Sequence, residues 1–203
     1  MLNAEGIVRQ LGRRTVLAGA AISLPPGVVI GLGGASGAGK SVLARILAGR
    51  DSPDAGRVTL DGMPRPVSRP GWPAPVQHAP QSAALAIDPR WRIGDVLANA
   101  GTPDPEVLDA LGIVPAWSDR RAAELSGGEL ARVSLARLFH PDLRFLICDE
   151  ITAELDALAQ ALLWDKLLAL TRSRQIGVLM ISHDADLHRR RCAESYHLEG
   201  GQV

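Results

Sequence analysis

The chain carries no excess charge of either sign: 22 lysines and arginines stand against 22 aspartates and glutamates in 203 residues. A balanced chain makes no broad field, which excludes binding of nucleic acid or anionic lipid by bulk electrostatics. Cysteine is nearly absent. Cys148 lies inside an apolar run and Cys192 in a basic stretch. Two lone thiols without repeated spacing exclude a disulfide framework and a zinc site, and predict reduced cysteines in a cytoplasmic compartment. Long apolar runs are missing as well. The longest, residues 28–32 and 176–181, fall far short of the ~20 residues that cross a bilayer. No charged, then apolar, then small-residue leader opens the sequence, so no secretion is expected. No internal repeat or low-complexity tail occurs. What is present, 46% apolar and 22% charged residues, fits a soluble globular domain, long enough for one full core and too short for two of this kind.

Short β-type runs within residues 7–24 are broken by Gly12-Arg13-Arg14, which predicts a hairpin. Pro25-Pro26-Gly27 makes a turn, and the β-branched run 28–32 predicts a buried strand. A helix is expected over 39–48 with Val42, Leu43, Ile46 and Leu47 on one side, then a strand over 57–60 and a turn at Asp61-Gly62. Residues 63–75, rich in proline, arginine and tryptophan, read as an irregular surface connection. Segments 93–100, 106–111 and 116–123 read as short helices, and 127–139 as an amphipathic one. A buried strand over 145–148, a long helix over 152–171, a strand over 177–181 and a helix over 185–191 complete the pattern. Such alternation predicts an α/β fold with a mostly parallel sheet covered on both faces.

The string GASGAGKS follows the first buried strand and precedes a helix. Gly34, Gly37 and Gly39 alternate with Ala35, Ser36 and Ala38, so the loop can wrap phosphates with its N–H groups inward while the helix end adds its dipole. Val42 continues the loop into the helix. Lys40 is placed to reach the β- and γ-phosphates as a point charge, and Ser41 to put its hydroxyl on Mg²⁺. A flexible glycine turn with a solvent lysine is the plain alternative, and the full pattern between strand and helix disfavours it. Asp149 ends the apolar run Phe145, Leu146, Ile147, Cys148. Ligands bind at that end of strands in open α/β sheets, so Asp149 is a candidate for the magnesium shell. Glu150, one residue further, can orient and polarise an attacking water.

LSGGE, residues 125–129, adds the decisive string. Together with the phosphate loop and the acidic strand end, it makes the chain resemble an ABC-type ATPase over nearly its whole length. The resemblance implies a P-loop NTPase fold with an N-terminal antiparallel β region and a small helical subdomain. It implies one domain over 1–203, its core at 1–80 and 126–203 and its subdomain at about 82–125. It also implies that Ser126, Gly127 and Gly128 cap the γ-phosphate of ATP bound to the opposite subunit, where free N–H groups and a positive helix end attract an anion. Glu129 stands where glutamine is more usual. Gln81 resembles the glutamine that joins core to subdomain and senses magnesium and γ-phosphate. Asp156, in TAELD, resembles the loop that touches the partner subunit, and His183, in ISHD, the histidine that holds the γ-phosphate. His78, His140, His188 and His197 lack such context and read as surface residues.

Three departures from the family pattern stand out. Leu11 occupies the place where an aromatic residue often stacks on adenine, and no aromatic precedes Trp72. Stacking contributes ~1–3 kcal/mol per base, so weaker or less base-selective binding is expected. Ile151 replaces the proline that usually follows the glutamate, and the interval from Gln81 to Ser126 is short. No regulatory extension is expected after the last β-type stretch. The family implies a homodimer, or a pair with a second ABC ATPase subunit, that closes around ATP and Mg²⁺. As the cytoplasmic subunit of a transporter it would sit peripherally on the inner face of the membrane beside transmembrane permease subunits. The stretch IDPRWRIGDVL resembles importers of peptides, nickel and metallophores. A single-domain ATPase of a soluble complex, such as an accessory of phosphonate breakdown, stays open, whereas the chain has no room for the coiled coil of DNA-repair relatives.

Overall fold

The structure, a computed structural model, describes residues 1–66, 73–99, 101–153 and 155–203. Part of the connection expected over 63–75, the end of the helix expected over 93–100 and one position of TAELD lie outside them. The first strands, β1 (Leu2–Leu11) and β2 (Arg14–Leu24), form the expected hairpin about Gly12, pairing Leu11 with Arg14. β4 (Ala55–Leu60) pairs antiparallel with β1, and a two-residue strand β5 (Met63–Pro64) pairs with β4 where irregular chain was expected. This makes one antiparallel sheet in the order β2-β1-β4-β5.

The second sheet is parallel throughout. Its order is β6 (Val76–Ala79), β7 (Phe145–Asp149), β8 (Gly177–Ile181), β3 (Val29–Gly33), β9 (Glu194–His197). β7 and β8 are buried at every residue, as their unbroken apolar sequences require in a sheet covered on both sides. Alternation of side chains sorts them between two cores. Leu146, Cys148, Val178 and Met180 pack with α4 (Gly127–Ala136) and α5 (Ala157–Ser173). Phe145, Ile147, Leu179 and Ile181 pack on the other face with α1 (Lys40–Leu47) and the antiparallel sheet. Burial inside the first core pushes the Cys148 thiol pKa up. α2 (Ile93–Ala98) and α3 (Pro105–Ala110) lie along the chain between β6 and β7, and α6 (Ala185–Arg191) follows β8.

Several local expectations change. The helix expected over 116–123 is two 3₁₀ turns, Pro115–Trp117 and Ala122–Glu124. α5 begins five residues later than expected, because Asp156 caps it by accepting from Leu158 and Ala159 N–H groups. β6 was not expected at all. The histidines differ most: His78 and His188 are buried and His140 half-buried, whereas His197 is exposed. His188 packs over Gly31, where an added Cβ would lie 3.0 Å from its ring. A missing side chain on β3 makes room that sequence context around α6 does not announce.

Candidate functional site

Most helix N-termini are closed by a side chain, and that of α1 is not. Its N-cap is Gly39 at φ 110°, with no side-chain hydrogen bond and no acidic residue in the first turn. Its leading N–H groups and positive end are left for an anion. Glycine is required here twice over: the φ is left-handed, and an added Cβ would lie 2.9 Å from Val16 Cγ1 on β2. Gly34 is similar, at φ 141°, with Leu198 O only 2.6 Å from an added Cβ. The loop is thus held down by the hairpin on one side and by residue 198 on the other.

Lys40 is buried and folds back over this loop. Its Nζ donates to Gly34 O at 2.9 Å and Ala35 O at 3.1 Å, and lies 3.8 Å from Glu150 Oε1. The same oxygen is 2.7 Å from His183 Nε2. Glu150 takes φ 51°, a left-handed backbone that a residue with a Cβ adopts only when its surroundings hold it there. Its N–H donates to Ile181 O at 3.1 Å, which ties the ends of β7 and β8 together. One carboxylate is therefore gripped by two groups from different strands' ends. Beside it Asp149, at the tip of β7, is only 4% exposed and its Oδ1 has no hydrogen-bond partner.

A cavity of about 510 Å³ opens over these groups. The hairpin lines it with Leu11, Arg14 and Val16, the loop with Ser36, Gly37 and Gly39, and α1 with Lys40, Ser41 and Val42. Gln81, Glu150 and His183 close the far side. Ala38 stays in the loop, its N–H donating to Ala35 O at 3.2 Å. Leu11 is exposed at the rim, and among the described lining residues none is Phe, Trp or Tyr. Arg14 and Val16 were not singled out from sequence. The expected hairpin held the signal, since its register sets Arg14 opposite Leu11, and Arg14 Nη2 reaches Gly37 O at 3.4 Å.

The remaining candidates lie elsewhere. Ser126, Gly127, Gly128, Glu129 and Asp156 do not line this cavity. Ser126 and Glu129 form a reciprocal cap on α4: Ser126 Oγ accepts from Glu129 N–H at 3.3 Å, and Glu129 Oε2 accepts from Ser126 N–H at 2.8 Å. The Ser126 N–H holds the Glu129 carboxyl below the usual carboxylate pKa range, so it is ionised at neutral pH. Gly128 abuts Leu155, 3.2 Å from an added Cβ, so LSGGE and the segment before Asp156 share one face.

A family model described as ABC transporter matches residues 17–153. The nickel import ATP-binding protein NikE of Rhodospirillum rubrum is 33% identical over 206 residues, covering 94% of this chain and 74% of that protein. The methionine import ATP-binding protein MetN of Caulobacter vibrioides is 30% identical, covering 95% of this chain and 61% of that one. Among solved structures, the ATP-binding subunit of an ABC transporter superposes with a TM-score of 0.85 at 19% identity, covering 100% of this chain and 88% of its own. Fold, phosphate loop and relatives agree: the chain belongs to the ABC transporter family, as one of its ATP-binding and ATP-hydrolysing subunits.

Proposed function

We propose that this subunit works on the inner face of a membrane, where two ATPase subunits close around ATP and drive import through permease partners. The chain forms a single ATP-binding domain in this reading, with core 1–80 and 126–203 and helical subdomain 82–125. One observation carries the proposal: Glu150 is held between Lys40 and His183 at the mouth of the phosphate loop, while Ser126 and its glycines lie outside that cavity. A complete site then needs the same segment from a second subunit, either another copy or a sister ATPase.

Each residue has a role in that closure. Loop N–H groups from Gly34 to Val42 cradle the phosphates, and Lys40 exchanges its two carbonyl partners for phosphate oxygens. Leu11 lies against the adenine as an apolar platform. His183 turns to the γ-phosphate, and Glu150, released from it, polarises the attacking water. Ser126, Gly127, Gly128 and Glu129 of the opposite subunit cover the γ-phosphate, and Asp156 orders the segment that meets the partner. A divalent cation fits the donor set, because Asp149 Oδ1 is buried without a partner at the tip of β7 and Ser41 and Gln81 line the cavity over the phosphate loop. Ser41, Asp149 and Gln81 would hold magnesium, which supplies neutralisation of phosphate charge when bound.

The cargo in this reading is nickel, in keeping with the nickel import proteins the chain resembles, or a metal chelate or peptide, as the stretch IDPRWRIGDVL suggests. Glu150→Gln tests the core of the reading. Nucleotide binding should persist, hydrolysis should fall by at least ~10²-fold, and an ATP-loaded dimer should accumulate by size-exclusion chromatography. Normal turnover in that variant removes Glu150 from its role. Copurification from membranes of a multi-span partner then supports transport, and purely soluble partners argue against it.

A further inference from the structure

We propose that His78 is a positioning residue for the metal-holding carboxylate of Asp149, an inference that rests on the site reading above. β6 pairs parallel with β7 so that His78 stands opposite Ile147. Side chains alternate along a strand, which puts His78, Ile147 and Asp149 on one face. His78 Nε2 lies 3.7 Å from Asp149 Oδ2, with both side chains over nine-tenths buried. Each residue also has an orphan: His78 Nε2 and Asp149 Oδ1 are buried with no hydrogen-bond partner. Buried polar groups are almost always paired, and the group nearest the unpaired ring nitrogen is a carboxylate.

The two orphans have one explanation in common. In the tautomer with its proton on Nε2, His78 needs an approach of well under 1 Å to donate to Oδ2 at ordinary hydrogen-bond distance. That bond fixes the carboxylate plane and leaves Oδ1 as the oxygen that would be free for a cation. Such outer partners orient metal-binding groups and shift metal affinity by about 10–100-fold. Position along the chain adds weight. Gln81, which lines the nucleotide cavity, follows His78 by three residues out of the same strand. The His78 contact therefore braces β6, the strand that leads to Gln81, against β7, which ends in Asp149.

Mn²⁺ titration followed by electron paramagnetic resonance, with a non-hydrolysable ATP analogue and the full chain, tests the role. His78→Leu should weaken Mn²⁺ about tenfold, while analogue affinity in excess chelator stays unchanged. His78→Gln, whose amide nitrogen reaches the same place, should stay within about threefold of wild type. Wild-type Mn²⁺ affinity in His78→Leu overturns the proposal, as does equal loss in both variants. Should His78→Leu not fold, His78→Phe takes its place: a tenfold loss beside retained affinity in His78→Gln supports the role, and wild-type affinity rejects it. Asp149→Asn separates the two levels. If it leaves Mn²⁺ binding intact, the metal assignment itself fails and takes His78 with it. If it abolishes binding while His78→Leu does not weaken it, only the His78 role is lost.

Discussion

Glu129 places a full negative charge in the first turn of α4, the helix end assigned above to another subunit's γ-phosphate. An anion docking there meets the helix dipole and this carboxylate with opposite signs. Glutamine at the same position keeps the reciprocal cap, because its amide oxygen still accepts from Ser126 N–H. Glu129→Gln should therefore lower the KM for ATP by roughly fivefold, on the order of 1 kcal/mol, with the melting temperature almost unmoved. Steady-state kinetics and a melt check this, and an unchanged KM places Glu129 away from the phosphate. At this scale the sequence was legible where chemistry demands a fixed spacing. The phosphate loop, Gln81, Glu150 and His183 meet around one cavity as their motifs imply. His78 and His188 were not legible, because their burial depends on a neighbouring strand's carboxylate and on the bare surface of Gly31.

Ser126 has one job that its hydrogen bonds show and one proposed above, and the two can be separated. Its hydroxyl accepts from Glu129 N–H to start α4, and in the proposed pair it also covers a phosphate. At an N-cap, alanine costs about 1 kcal/mol and glycine only a few tenths. If the hydroxyl also serves the phosphate, Ser126→Gly and Ser126→Ala should lose turnover alike, by roughly tenfold or more, although only the alanine variant loses stability in urea. Turnover that tracks stability instead would leave Ser126 a cap and nothing more. Caps also explain which elements were legible. Asp156 accepts two N–H groups and so starts α5 at Ala157 rather than at residue 152, where the sequence alone predicts its start. β6 is four residues with a histidine in the middle, too short and mixed to stand out, and it forms because β7 offers an open edge. β7 and β8 were plain from their unbroken apolar runs, which only a doubly covered sheet accommodates.

The whole molecule is two sheets that must hold a common loop, and one surface contact stitches them. Asp61, in the turn between β4 and β5, pairs with Arg144 at the start of β7 and also with the amino group of Met1. The Arg144 hydrogen bond, aided by that amino group, lowers the Asp61 carboxyl to about 2. A depressed folded pKa means stability present above the ordinary carboxylate range and lost as pH falls through the folded value. Urea midpoints should thus decline between about pH 4 and pH 2. Asp61→Asn should start lower at neutral pH, decline less steeply and converge with wild type near the acid end. Parallel curves would show that the pair contributes nothing.

The larger question at this scale is whether one chain holds a whole site. LSGGE and the segment before Asp156 share a face through Gly128 and Leu155, and neither lines the cavity over Lys40. In a pair of identical copies related by a two-fold axis, each cavity would be completed by the other copy's α4. Ser126→Arg then spoils only the site that its own chain completes for its neighbour, and Glu150→Gln spoils only the site in its own cavity. Each variant alone should be inactive while keeping monomer nucleotide affinity. Mixed in equal amounts, half the pairs carry one of each, and each such pair has one cavity with an intact glutamate and an intact facing serine. Activity should therefore return to as much as about a quarter of wild type, since one site in two works in half the pairs. A self-contained site gives no recovery at any ratio, because every cavity then lies in a chain lacking one of the two groups.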